Sequence, residues 1–408
     1  MQLACPQCDL VVDVPRLRAK QVAQCPHCHS SLNASNVNND PKVVALTLSA
    51  IILLLSSVFY PFISFSSRGI TQTMTLPDAG RMLFNYDSTL LGIFIDISII
   101  ILPLVMLLLL LPLHLGFLRT LPKHWGRKLL KLTLALDTWV MSEIFLVGVL
   151  VSMVKIMSMA DIAFGISFWA YGGFVLTYIG ALSYVNRPRL WRQIAPHKEL
   201  AVPKGVRAID VNLRACHVCQ QLTYDKLCPR CHSTTHYRNM QSVQKAAAWL
   251  VTSVLLYIPA NVLPIMYTTS LGDREPSTLI GGVILLWQSG SYPIASIIFL
   301  ASVVVPFAKA LVLATLCVMV YRQASRRSMV YTRLYQVTEF IGKWSMIDVF
   351  VVAILVALVQ LGNLMLVEPG LGALCFAAMV ICQMMAAHAF DPRLIWDPPE
   401  KVKRVVNE

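Results

Sequence analysis

Eight of the eleven cysteines stand in four C-x-x-C pairs: Cys5 with Cys8, Cys25 with Cys28, Cys216 with Cys219 and Cys228 with Cys231. The spacings are C-x2-C-x16-C-x2-C and C-x2-C-x8-C-x2-C. Two such knuckles fold onto one tetrahedral metal ion, which takes four thiolates at about 2.3 Å. Four sulfurs fill the shell and leave no open position for catalysis, which favours structural zinc, two ions in all; iron suits the same ligand set. Disulfides would need an oxidising face, and thioredoxin-like redox chemistry a βαβ context that is missing. His27, His29, His217 and His232 adjoin the knuckles, as substitute ligands or as ordinary polar surface. Cys317, Cys375 and Cys382 lie in apolar runs and read as small buried side chains.

The knuckles precede segments of a different kind. The chain is 56% hydrophobic and 13% charged, with a mean hydropathy of +0.64, which excludes a soluble globular protein. Eight runs are long enough to cross a bilayer: about 43–65, 89–113, 133–155, 162–184, 246–268, 291–320, 338–361 and 369–390. No cleavable signal peptide is visible, so the first run is expected to insert itself. Basic residues cluster after the second run (Arg119 to Lys131), between the halves (Arg187 to Arg207), after the sixth run (Arg322 to Arg333) and in the tail (Lys401 to Arg404). With four spans per half, all four clusters fall on one side, which with both termini is expected to be cytoplasmic. The net charge of +13 is then a topology signal, too dispersed for a nucleic-acid surface.

A charge at the membrane centre costs at least ~2.5–3.5 kcal/mol on insertion scales, so it needs a partner or a purpose. Asp96, Asp137, Lys155, Glu339 and Lys343 complete the charges inside these runs; the last four read as boundary residues that snorkel. Glu143, Lys309 and Asp348 lie deeper. Counting 1.5 Å per residue places Lys309 roughly 18 Å and Asp348 roughly 15 Å from the basic boundary, on antiparallel spans. Ser345 stands three residues before Asp348, on the same helical face. The four residues Lys309, Asp348, Ser345 and Glu143 form the expected membrane polar network. It is either a buried structural pair or a site for a headgroup or a proton.

The chain also repeats itself at near half its length. Each half carries two knuckles, an apolar run closing on proline (Pro61, Pro264), a Trp-x-Met-x-acid-x-Phe block (Trp139 to Phe145, Trp344 to Phe350) and a Pro-Arg-Leu (from Pro188 and from Pro392). The copies differ: Pro103 aligns with Pro306, which puts Met106 opposite Lys309. The expected fold is an all-α polytopic membrane protein of two tandem repeats. Its parts are a first zinc ribbon at 1–40, a four-span domain at 41–190, a linker and second ribbon at 191–240, a second four-span domain at 241–396 and a tail at 397–408. Each knuckle pair is expected to feed its own bundle. Residues 66–88 and 269–290 are the matching outer loops, with apolar stretches that cap the bundle or meet a partner.

The tandem knuckles, the paired halves, Val303-Val-Val-Pro-Phe-Ala-Lys309, Gly342-Lys-Trp-Ser-Met-Ile-Asp348, Trp287-Gln-Ser-Gly-Ser-Tyr-Pro293 and Phe390-Asp-Pro-Arg-Leu-Ile-Trp396 resemble the paraquat-inducible protein A (PqiA) family, with LetA/YebS as a relative. The resemblance covers nearly the whole chain. It implies an inner-membrane protein of Gram-negative bacteria with zinc-ribbon modules and membrane halves similar to tetraspanins. It also implies a periplasmic MCE-domain partner, PqiB-like, forming a tunnel through which lipid moves between membranes. The chain carries no P-loop, G-x-S-x-G, H-E-x-x-H or dinucleotide fingerprint, so it is not expected to be an enzyme. A non-enzymatic lipid-transport subunit is the leading expectation. A self-sufficient secondary transporter of a small solute or proton is the alternative, and a membrane-anchored zinc or redox sensor a third.

Overall fold

A computed structural model describes residues 2–14, 21, 23–32, 39–67, 70–78, 80–81, 89–117, 122–156, 161–196, 200, 202–203, 205–239, 241–270, 273–288, 290, 292–322, 328–344, 346–347, 350–351, 354 and 365–397. The chain opens with two small hairpins, β1 (Gln2–Ala4) with β2 (Val11–Asp13) and β3 (Ala23–Gln24) with β4 (Ser31–Leu32). Helix α1 (Asp40–Phe59) follows, with an acid in its first turn and a proline at its start, both suited to a helix N-terminus. It stops just before Pro61. Strands β5 (Pro61–Ser67) and β6 (Ile70–Thr75) then form an antiparallel pair.

Helix α2 (Thr89–Asp96) runs through a π turn (Ile97–Ile101) into α3 (Leu102–His114). Next come α4 (Lys123–Leu136), α5 (Ser142–Ile156), β7 (Asp161–Phe164), α6 (Ile166–Tyr184) and α7 (Arg187–Ile194). The second half repeats the order. A hairpin, β8 (Arg214–Ala215) with β9 (Leu222–Thr223), leads to α8 (Ser242–Val262), β10 (Met266–Ser270) and β11 (Asp273–Ser277). Helices α9 (Leu279–Gln288) and α10 (Tyr292–Phe299), a π turn (Leu300–Val304), α11 (Val305–Tyr321), α12 (Ser328–Trp344), β12 (Met365–Pro369) and α13 (Leu371–Ala389) complete it.

Strands β6-β5-β7 and β11-β10-β12 form two antiparallel sheets of the same order. The expectation of an all-α chain is thus corrected: the fold is mostly helical, but both outer loops enter sheets. The physical reason is local. Proline ends each preceding helix, and the Thr-, Ser- and Ile-rich segments behind it favour extended backbone. Gly165 and Gly370 sit where α6 and α13 start, donating to the carbonyls of Phe62 (3.0 Å) and Ile265 (2.7 Å). A Cβ at either would collide with the carbonyl of Pro61 or Pro264. Only glycine fits.

Six described helical stretches are long and apolar enough to cross a membrane: Asp40–Phe59, Gly92–His114, Ile166–Tyr184, Ser242–Val262, Leu300–Tyr321 and Leu371–Ala389. The expected run at 133–155 is instead divided, because α4 ends at Leu136 and the shorter α5 starts at Ser142. The expected run at 338–361 lies partly outside the described residues. Both π turns sit just ahead of Pro103 and Pro306, each of which lacks the N–H that would bond one turn back. In the second half Tyr257 Oη donates to the Val303 carbonyl at 3.4 Å.

Helices α1 and α6 pack along each other, as do α8 and α13, and one apolar core joins both halves through Phe145, Phe174, Met346, Phe350 and Phe376. The boundary expected at 190 cuts through α7, whose Leu190, Trp191 and Ile194 are buried together.

Candidate metal centres and membrane polar site

Each knuckle is a tight turn closed by its own backbone. The amides of Asp9, His29, Gln220 and His232 donate to the carbonyls of Cys5, Cys25, Cys216 and Cys228 at 2.9–3.0 Å. These four residues all adopt positive φ, between 56° and 62°. His29 and His232 are thereby turn residues. The sulfurs of Cys5, Cys8, Cys25 and Cys28 lie within 4.8 Å of one another, as do those of Cys216, Cys219, Cys228 and Cys231. The closest pairs are Cys5–Cys28 at 3.5 Å and Cys216–Cys231 at 3.4 Å. A tetrahedral ion with bonds of about 2.3 Å separates its sulfurs by about 3.8 Å, so both sets fit one ion each. Within each set the shifts oppose: hydrogen bonds, first from Cys5 and then Cys8, hold Cys28 below the usual thiol range, and first from Cys216 do so for Cys231, whereas hydrogen bonds from Cys28 raise Cys8 and from Cys216 raise Cys219. Thiolates are the form a metal takes.

Among the described residues, the cysteine core of each module packs against the opposite half. The second cysteine set packs with Leu113, Leu130, Leu190 and Trp191 of the first half. Arg127 of α4 donates to the Arg230 carbonyl at 2.9 Å, and Arg230 donates to Ala195 (3.2 Å) and Pro188 (3.4 Å). The first set packs instead against Trp396 of the second half, whose ring lies 4.4 Å from His27. Trp396 also donates to Thr332 of α12 at 3.0 Å. For the cysteine cores this crossing corrects the expectation that each pair serves the bundle behind it, while Arg238 and Asn239 still tie the second module to the second half.

Where the modules meet, Val11 N donates to the Val206 carbonyl and Ala208 N to that of Asp9, both at 2.9 Å. Arg238 binds Asp397 through two bonds of 2.7 Å and Asp9 at 2.9 Å, with all three side chains at most 2% exposed. Asp391 binds Arg393 at 2.8 Å and accepts from Asn239 N at 3.1 Å. Burial alone would raise the Asp391 carboxyl, but Arg393 and then Arg238 hold it below the usual carboxylate range. Asp397, expected to open a tail, is an anchored residue.

In the second bundle Lys309 is 4% exposed, and its Nζ has no hydrogen-bond partner among the described residues. It lies against Gly342 of α12, where a Cβ would stand 3.1 Å from Nζ. Ser345 and Asp348, expected beside it, lie outside the described residues. Glu143 is half-buried in the first turn of α5.

The sequence profile described as Paraquat-inducible protein A matches residues 41–195 and again 243–400. The chain belongs to the paraquat-inducible protein A family. It is 42% identical over 399 residues to the "Intermembrane transport protein PqiA" of Escherichia coli (strain K12), covering 97% of this chain and 95% of that one. It is 28% identical to the "Lipophilic envelope-spanning tunnel protein A" of the same organism (97% and 91%) and 29% to the "Probable intermembrane transport protein" of Haemophilus influenzae (97% and 95%). No solved structure matches.

In this family member the second bundle holds polar groups that the sequence reading passed over. Gln383 of α13 donates to the Pro306 carbonyl at 3.1 Å, one turn from Lys309, while its Oε1 has no partner among the described residues. Ser302 in the π turn is fully buried with its hydroxyl unpartnered among the described residues. Ser302 stands seven residues before Lys309, close to the same helical face. That spacing was the available signal; serine and glutamine in apolar runs are too common to stand out alone.

Proposed function

We propose that this chain is the inner-membrane subunit of a system that moves lipid between the two membranes of a Gram-negative envelope. It would pass lipid to or from a periplasmic MCE-domain partner docked on the outer sheets. The observation that carries this reading is the near-full-length 42% identity to a protein named for intermembrane transport. The name of the second relative, an envelope-spanning tunnel protein, supports it. The proposed topology has two duplicated halves of four spans each, which the double profile match supports. The cysteine modules would lie in the cytoplasm, where thiols stay reduced, each holding one zinc.

Lys309 is where the halves cease to be chemically equal. Met106 takes its place in the first bundle and is buried among apolar neighbours. An ammonium with no partner among the described residues would attract an anionic headgroup, or exchange a proton with an acid, for which Asp348 is the candidate from the sequence. The same buried charge also supports a second reading, a self-sufficient secondary transporter.

Gentle purification from native membranes tests the choice. Co-purification of phospholipid with an MCE-domain protein is the expected result. Solute uptake that follows an ion gradient, with neither lipid nor such a protein retained, would favour the second reading.

A further inference from the structure

A cavity of about 110 Å³ opens between the first bundle and α7. Met106 lines it from α3, Leu130 and Leu134 from α4, and Leu182 from α6; Asp137, at the end of α4, and Arg187, at the start of α7, complete the wall. Leu130, Leu134 and Asp137 share one face of α4 by helical spacing. Met106 and Leu130 are buried, whereas the Asp137 and Arg187 side chains are 26% and 48% exposed and meet at 2.7 Å. The charged pair is therefore the rim of the cavity and the methionine its floor.

That rim lies at one end of the spans. Arg187 stands just past the apolar stretch Ile166–Tyr184, and Arg189 beside it in α7 binds Asp40, where the stretch Asp40–Phe59 begins, at 2.8 Å. In a bilayer this is the level of the lipid headgroups. The repeat marks the same place in the other half. Aligning the Trp-x-Met-x-acid-x-Phe blocks sets Asp137 against Gly342, as Pro103 and Pro306 set Met106 against Lys309. Lys309 lies against Gly342 in the second bundle. Equivalent places thus both hold charge: an ammonium with no partner among the described residues in one half, a balanced pair in the other.

Mostly apolar walls with a few convergent polar groups are the make-up of ligand sites. The cavity holds roughly seven water-sized groups, the size of a phosphoethanolamine headgroup rather than of an acyl chain. A half-exposed ion pair contributes little by itself, so it can open and pair again with a ligand. We propose that this cavity is a headgroup site for an aminophospholipid, with the phosphate on Arg187 and the primary ammonium on Asp137. Two ion pairs then replace one, and the site stays neutral. An anionic headgroup without an amine would leave Asp137 facing a second negative charge, and a quaternary ammonium has no hydrogen to donate to it. The half-buried Leu134 and Leu182 offer the acyl chains an apolar way out. The inference rests on the membrane reading and names a lipid class for it. It does not rest on transfer or on a periplasmic partner, so failure to move lipid would leave it standing, and an empty cavity would leave the transport reading standing.

Photocrosslinking tests it on the full-length protein in phosphatidylcholine vesicles. The probes are phosphatidylethanolamine and phosphatidylglycerol, each with a diazirine near the glycerol end of one chain, and peptide mass spectrometry locates the adducts. Adducts within 130–137 and 182–190 are expected from the ethanolamine probe, with roughly tenfold fewer from the glycerol probe, the usual size of one lost charge-assisted hydrogen bond. An excess of unlabelled phosphatidylethanolamine, but not of phosphatidylglycerol, should suppress them in the unaltered protein, a readout that needs no variant. Asp137→Asn should abolish the preference between the two probes while the protein keeps its elution profile. Adducts confined to outward faces such as those of Ile52 and Leu176 would overturn the site. Equal labelling by both probes, or a preference that survives Asp137→Asn, would overturn the headgroup assignment.

Discussion

Phe145 and Phe350, which hold the same place in the two Trp-x-Met-x-acid-x-Phe blocks, meet edge to face at 5.7 Å with their planes 86° apart. The matching blocks of the two halves therefore face each other across the middle of the molecule. Gly148, one turn on from Phe145, lies under Phe350, and Ser152 Oγ reaches the Val351 carbonyl at 3.5 Å while bonding Gly148 at 2.8 Å. This is the only place among the described residues where an α5 hydroxyl bonds the other half.

A Cβ on Gly148 would stand 3.1 Å from that of Phe350, while one on Gly172 meets nothing within 4 Å. Gly148→Leu is thus expected to force the halves apart, at the overpacking cost of about 1–3 kcal/mol. Gly172→Leu should be tolerated. Thermal unfolding of the two purified variants checks the contrast, and equal melting temperatures would refute the tight contact.

Removing a cysteine ligand should destabilise, because metal-binding free energy is folding free energy in small modules. Cys5→Ser and Cys228→Ser are each expected to lower expression and to halve the metal content found by elemental analysis. The crossing makes the prediction regional. Cys5→Ser should raise hydrogen exchange around Thr332 and 390–397 of the second half, and Cys228→Ser around 187–194 of the first. Loosening confined to each module's own half would contradict the docking.

Arg238 is buried between Asp9 and Asp397. Removing the centre of this cluster leaves Asp397 without its partner and Asp9 with Arg393 at 4.0 Å, at a cost of roughly 3–5 kcal/mol. Arg238→Met should therefore aggregate at a lower temperature than Asp9→Asn, in which Arg238 keeps its two bonds to Asp397. Asp391, with its depressed pKa, adds stability that is present above the ordinary carboxylate pKa of about 3.9 and lost as pH falls through its own lower value. Neutralising it as Asp391→Asn should flatten the acid limb of the melting profile.

The two cysteine clusters were legible in the sequence because C-x-x-C spacing places paired sulfurs on one turn. Lys309 was legible because a charge in an apolar run breaks the pattern that surrounds it. The crossing of the modules was not: Trp396 against His27 and Arg127 against Arg230 are contacts between segments remote in sequence, and no periodicity encodes them. The sheets were missed because apolar Phe62, Ile63 and Phe65 directly extend the run of α1, where hydropathy cannot tell a strand from a helix end. The divided third span hid for the same reason, since Val140 and Met141 keep the run apolar through the break.

The last expectation concerns the second-half site. Lys309→Met copies the Met106 of the first bundle, so the fold already accommodates that side chain at this level. Paired with Asp348→Asn, it leaves no unbalanced charge in the membrane, and the double variant should express and assemble normally. A carboxylate partner that only fixed helix packing would then be dispensable, with transport retained. Loss of lipid transfer in reconstituted membranes, alongside normal assembly, is the expected outcome for a working site. Gly342→Ala supplies an independent check, because its methyl would press on the ammonium at 3.1 Å without altering any charge. It should slow transfer in the wild-type background and have no further effect once Lys309 is Met. Full activity of the double variant would remove Lys309 and Asp348 from the transport mechanism.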